Sequence, residues 1–188
     1  VNRVYAEYPT LGTALGLPDH RTVPLADATT DAPATVGGNL PPGVALDTVW
    51  TPPADMPTSG AVTESPIPGA ASGFVARPAQ IYLPPAYFAH PRPLLPVLVL
   101  LAGQPGQPSD WVVSGRLPVV ADAFAARHAG LAPVVVVADP IGQPLGNTLC
   151  IDSSWGNART YLAKDVPDWI RANLQVDTRP GTMAIGGL

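Results

Sequence analysis

An α/β fold, doubly wound around a mostly parallel sheet with antiparallel strands at its edge, is predicted by three observations. Leu95–Leu101 (LPVLVLL) and Pro133–Ala138 (PVVVVA) are continuous aliphatic runs bounded by turn residues, the pattern of strands buried on both faces of a parallel sheet. Between them, Leu117–His128 is an Ala-rich amphipathic stretch ending at Gly130, which reads as a helix with a glycine just past its end. Strand, helix and parallel strand in that order form one crossover unit of such a sheet.

The other elements are placed around this unit. Residues 1–59 form a separate N-terminal arm: a short helical patch over Val1–Leu17, then an acidic stretch rich in Ala, Pro and Thr. Over Thr29–Pro57 the large apolar residues are few, chiefly Leu40, Val44, Leu46 and Trp50. That is too little burial to offset chain ordering, so an extended linker is expected.

Residues 60–188 carry the sheet. Ala61–Ile67 and Phe74–Leu83 alternate apolar and polar residues between Pro/Gly breaks, as paired strands at a sheet edge do. Pro78 fits only an edge position or a bulge. A polar loop, Asp139–Asn157, follows the second aliphatic run, then a helix over Ala158–Leu174 interrupted or restarted at Pro167. The short apolar run TMAIGGL, Thr182–Leu188, reads as a further strand.

Composition excludes several classes. With 188 residues and 46% hydrophobic content the chain can bury one real core. Ten basic against fourteen acidic residues, a single lysine (Lys164) and no basic cluster argue against nucleic-acid binding. The arm alone, with two basic and six acidic residues, accounts for the net charge of −4. No apolar run approaches the length of a membrane span; the longest, Leu94–Gly103, contains Pro96. Val1 opens the chain without a leader, so any signal or membrane segment is expected to have been removed or to lie upstream of it. The lone Cys150 makes neither an internal disulfide nor a metal site, and no cofactor or metal is expected.

In open α/β sheets, sites form beyond the carboxyl ends of central strands. Two loops here meet that condition, Ala102–Gly115 and Asp139–Asn157, and a third follows Leu188. The first, LLAGQPGQPSDW, puts Gly103 and Gly106 where backbone N–H groups can turn toward a developing oxyanion without Cβ obstruction. Gly/Pro turns of this kind also occur for structural reasons alone. In the second loop, CIDSSWGN, Asp152 and Trp155 are candidates for a pocket rim, the bland alternative being a loop held down by one buried Trp. Gly186, Gly187 and Leu188 form the lead-in to a strained strand-to-helix turn of the kind that carries a nucleophile. His20, His90 and His128 read as structural or solvent-facing, and Ser109, Ser114, Ser153 and Ser154 lack the elbow context of a nucleophile. Lys164, Asp165 and Asp168 read as the solvated face of a helix.

The segments ARPAQIYLPPAYF, LPVLVLLAGQPGQPSDW and YLAKDVPDWIRANLQVD…MAIGGL together resemble the actinobacterial esterase family of α/β-hydrolases, which includes secreted mycolyltransferases and cell-envelope esterases. The resemblance covers about Ser72 to Leu188. It implies an α/β-hydrolase fold incomplete at the C-terminus, with a nucleophilic serine directly after Leu188 and the acid and histidine further on. None of those three catalytic residues lies within the 188, so the chain by itself is expected to be inactive. The resemblance assigns an oxyanion donor to the backbone N–H of Gln104, shaped by Gly103, and places Asp110 and Trp111 at the pocket rim. Ala102 and Gln104 stand where mycolyltransferases tend to have Asp and Leu, which implies a general acyl-ester or acyl-lipid/glycolipid substrate rather than mycolate. It further implies an extracellular or cell-envelope location and, for Cys150, a disulfide partner beyond Leu188. Two alternatives stay open: a non-catalytic hydrolase scaffold that binds a glycolipid or partner, and a chain that works with a complementary C-terminal chain.

Overall fold

The protein is described by a computed structural model covering residues 20–28, 34–37, 40–41, 43–143 and 146–187. The expected helical patch over Val1–Leu17, parts of the arm and Leu188 lie outside the described residues. Five strands form the main sheet: β2 (Ala61–Ser65), β3 (Ala79–Leu83), β5 (Val97–Leu101), β6 (Val134–Ala138) and β9 (Met183–Gly187); β1 (Ala34–Val36) pairs with β4 (Arg92–Pro93) apart from it, and a short helix, α1 (Leu25–Ala28), lies in the arm. Their spatial order is β2-β3-β6-β5-β9. β2 and β3 run antiparallel, β3 runs antiparallel to β6, and β6, β5 and β9 are mutually parallel.

The aliphatic strands alternate between two cores, one on each face. Val97 and Val99 of β5 and Val134 and Val136 of β6 join Tyr161, Val166 and Ile170 on one side. Leu98 and Leu100, with Val135 and Val137, join Val112, Trp111, Leu117 and Ala121 on the other. A strand covered on both faces gains nothing from polar alternation, and all five residues of β6 are buried. The covering elements are α2 (Ser109–Val113) and α3 (Leu117–Arg127) on the second face, and α4 (Ala158–Thr160), a π-helical turn (Tyr161–Asp165) and α5 (Val166–Asn173) on the first. This is the doubly wound arrangement the sequence predicts.

Local chemistry sets the boundaries. α3 ends at Arg127, and Gly130 at φ +84° lets its N–H return to the Ala125 carbonyl at 2.8 Å. Pro167 follows the π turn with no break in the helix, and since it has no N–H to donate to the preceding turn, the irregularity falls just before it, as that π turn.

Two expectations need correction. The strand read over Phe74–Leu83 begins only at Ala79, directly after Pro78, because Phe74 turns inward onto Tyr161 (ring centroids 5.2 Å apart) and Arg77 is drawn to Asp139. As expected, β2 and β3 form an antiparallel pair at one edge of the sheet, with β2 outermost. In the arm, Trp50 is buried and donates its indole N–H to the Ala129 carbonyl at 2.9 Å, whereas an extended linker would leave it in water. Further upstream, the Val62 N–H reaches the Arg21 carbonyl at 2.8 Å and the Val23 N–H reaches the Val62 carbonyl at 3.1 Å, so the arm runs beside the outer strand β2.

Candidate functional site

β5 and β9 pair in parallel with Leu101 opposite Gly187, so the loop after β5 and whatever follows β9 leave the sheet at the same end and side by side. A Cβ on Gly187 would stand 3.1 Å from the Leu101 Cβ, a tight contact that glycine avoids. Beside this point a cavity of about 520 Å³ is lined by Gly103, Gln104, Gly106, Asp110, Trp111 and Ser114 among others. Four of the residues singled out from sequence, Gly103, Gln104, Asp110 and Trp111, therefore come together.

The loop is held in a tight turn. The Trp111 indole donates to the Leu101 carbonyl at 3.0 Å, fastening α2 to the end of β5. The Asp110 carboxylate accepts the Gln107 N–H at 2.9 Å. A Cβ on Gly106 would stand 2.6 Å from the Gly103 carbonyl oxygen, so only glycine permits the turn. The Gln104 side chain donates to the Gly146 carbonyl at 2.8 Å, which links this loop to the one after β6. Among the described residues the backbone N–H groups of Gly103 and Gln104 donate no hydrogen bond. A backbone donor at the end of a central strand, unspent on the protein, can serve an oxygen that develops negative charge.

Sequence reasoning missed the ion pair beside this cavity. Asp139, directly after β6, is fully buried and accepts from Arg77 three times: backbone N–H at 2.8 Å, Nε at 3.0 Å and Nη2 at 2.7 Å. The Ile141 and Gly142 N–H groups complete its shell at 3.1 and 3.0 Å. Burial pushes this carboxyl up, but the Arg77 and backbone hydrogen bonds outweigh it and hold the pKa below the ordinary value. The available signal was an aspartate immediately after a fully apolar strand. Arg77 borders a smaller recess with Pro105, Gly106, Gln107 and Asp110.

The second loop departs from expectation. Asp152 and Trp155 do not line the cavity beside Gly103. Asp152 instead accepts the Thr160 N–H at 2.9 Å and hydroxyl at 2.8 Å, tying the hairpin of β7 (Asp152–Ser153) and β8 (Gly156–Asn157) to the start of the following helix. Trp155 is 78% exposed, so it does not hold the loop down. That work falls to Phe74: a Cβ on Gly156 would stand 2.9 Å from its ring, while one on Gly142 would stand 2.9 Å from the neighbouring Val75 carbonyl oxygen.

Asp165 also departs from the solvated-face reading. It is buried, and its two oxygens accept the Ala71 N–H at 2.7 Å and the Ser72 N–H at 3.0 Å, with the Ser72 hydroxyl at 2.5 Å. Asp168 is exposed and pairs with Arg171, as expected. His128 donates from Nδ1 to the Phe124 carbonyl at 2.7 Å and stacks on the Phe124 ring, a structural role; His90 is exposed. Cys150 is exposed as a free thiol. Among the described residues no group of His, Cys, Asp and Glu could hold a metal ion, and no helix is long and apolar enough to cross a membrane.

A mostly parallel sheet with antiparallel outer strands, helices on both faces and a glycine-lined cavity at the carboxyl ends defines an α/β-hydrolase fold. A solved ferulic acid esterase structure has the same fold, with a TM-score of 0.59 at 18% identity over 72% of this chain and 50% of that one. The family model described as "Putative esterase" matches residues 76–188, and the chain belongs to that family. An uncharacterised protein of Corynebacterium glutamicum is 37% identical over all 188 residues. The chain spans 41% of that relative's length.

Proposed function

We propose that the full-length protein is a serine carboxylesterase or acyltransferase acting outside the cytoplasm on an acyl-ester or acyl-lipid substrate, with its nucleophile directly after Leu188. The observation that supports this reading is the parallel pairing of Leu101 with Gly187, by which the chain leaving that strand departs from the same end of the sheet as the loop carrying the unspent N–H of Gln104. A serine there adds to the ester carbonyl, its proton passing to a histidine. The carbonyl oxygen takes up the electron pair and is held partly by Gln104 N–H; the alcohol then leaves with the proton, and water or a second alcohol takes the acyl group from the enzyme. Loss of one such donor typically costs about 3 kcal/mol of barrier, which is why a prearranged turn matters.

The test is covalent labelling of the full-length protein with a fluorophosphonate probe, followed by peptide mapping. The expected product carries the label on the residue after Leu188, and substituting that residue by Ala abolishes both label and ester turnover. A polypeptide ending at Leu188 should take no label. Labelling elsewhere, or turnover that survives the substitution, would overturn the reading.

A further inference from the structure

Trp111, which the sequence places at a pocket rim, spends its one polar group on the backbone of β5. The indole N–H reaches the carbonyl of Leu101, the last residue of that strand, at 3.0 Å. Among the described residues this is the side-chain hydrogen bond that returns the loop after β5 to its strand. The strut is firm at its far end. α2 seats Trp111 against the second-face core beside the buried Val112. Asp110 closes the loop in front of it, donating its N–H to the Gln107 carbonyl at 3.0 Å and accepting the Gln107 N–H on Oδ2. Behind it the Gly115 N–H returns to the Asp110 carbonyl at 2.9 Å.

The place of the Leu101 carbonyl gives this bond its consequence. A Cβ on Gly187 would stand 3.4 Å from that oxygen, so it lies where the ends of β5 and β9 meet. The unspent N–H of Gln104 follows three residues later, across Ala102 and Gly103. The indole donor acts there in two ways. It fixes the peptide plane from which the turn departs, which Gly103, having no Cβ to restrict it, does not do by itself. It also occupies a carbonyl whose negative end, left open at this junction, would oppose an oxygen gaining negative charge nearby. We infer that Trp111 is a positioning residue: by holding the Leu101 carbonyl, its indole N–H keeps the Gln104 N–H in the orientation that stabilises the oxyanion. The oxyanion rests on the hydrolase reading above; the hold on the turn does not.

The test uses the full-length protein, a p-nitrophenyl acyl ester and an alkyl boronic acid, whose tetrahedral serine adduct carries an oxygen in the oxyanion position. Trp111→Phe keeps an aromatic ring in the core and removes the donor. Its kcat should fall about tenfold or more with KM within about twofold, because the lost interaction belongs to the transition state. Boronic acid affinity should fall by the same factor. Val112→Ala loosens the same helix without touching the bond, so it should lower the melting temperature and leave kcat within about twofold. If Trp111→Phe does not fold, Trp111→benzothienylalanine, which keeps the bicyclic shape without the N–H, is measured in its place. An unchanged kcat in the donor-less variant, or an equal loss in Val112→Ala, would overturn the positioning role. If the parent protein turns over no ester, the hydrolase reading fails and amide NMR decides the hold on the turn. Shifts of the Gly103 and Gln104 amides in Trp111→Phe that are absent from Val112→Ala sustain it, and amides that stay in place overturn it.

Discussion

Asp139 shows how much one side chain at the end of a strand can organise. Its carboxylate lies in the protein interior, and five N–H donors from Arg77, Ile141 and Gly142 surround it. Taking one partner from a buried pair leaves a charge or a donor set uncompensated, which typically costs about 3–5 kcal/mol. Asp139→Asn is therefore expected to lose stability on that scale in urea unfolding, and to loosen Arg77 where it borders the recess. A loss under about 1 kcal/mol would show that the pair is not what fixes the loop after β6. Asp139 carried a signal, as an aspartate closing an apolar strand, but its pairing with Arg77 did not, because the sequence separates them by 62 positions and only the pairing of β3 with β6 brings them together. Gly103, Gln104, Asp110 and Trp111 were legible because all four sit in one loop directly after a continuous aliphatic run. Trp155 misled for the opposite reason: its size argues for burial, but the hairpin that carries it projects into water.

At the scale of elements, strands covered on both faces announce themselves and helices packed on one face do so less well. PVVVVA and LPVLVLL contain β6 and β5 and end where those strands end, having begun one and two residues too early. The segment Phe74–Arg77 alternates like a strand, yet its residues are claimed by distant partners: Phe74 by Tyr161 and Arg77 by Asp139. The π-helical turn Tyr161–Asp165 has no signature in the sequence, and it delivers Asp165 to Ala71 and Ser72, 93 and more positions away. Helix α5 is the lever through which this part of the chain covers the sheet. Ile170 is fully buried in the core shared with Val97, Val99 and Val134. Ile170→Ala should cost about 2–5 kcal/mol, the usual range for truncating a buried aliphatic residue. Calorimetry of the folded variant checks it, and a change in melting temperature within error would mean that α5 is only loosely seated.

Across the whole molecule, three buried aspartates among the described residues fasten loops to the sheet: Asp139 after β6, Asp165 before α5 and Asp177 before β9. Asp177 accepts Arg179 from its backbone N–H, Nε and Nη2, and its own N–H donates to the Leu95 carbonyl at 2.9 Å. In each, burial pushes the pKa up, and hydrogen bonds from Arg77, Ser72 or Arg179 respectively outweigh it, so all three lie below the ordinary aspartate value. The sign follows from linkage. Each group binds its proton more weakly folded than unfolded, so its contribution is present above the unfolded value of about 3.9 and fades as pH falls through the folded one. Unfolding free energy should therefore be nearly level from pH 7 to pH 5 with respect to these groups and fall steeply below pH 4. Asp165→Asn isolates one share: it should be less stable than the parent at pH 7, with the two curves converging as the parent's carboxyl becomes protonated. Urea titrations at each pH would read this directly. Parallel curves down to about pH 2 would mean that Asp165 holds the Ala71–Ser72 turn by shape and neutral hydrogen bonding rather than by its charge, and the fold's acid limit would then rest on Asp139 and Asp177.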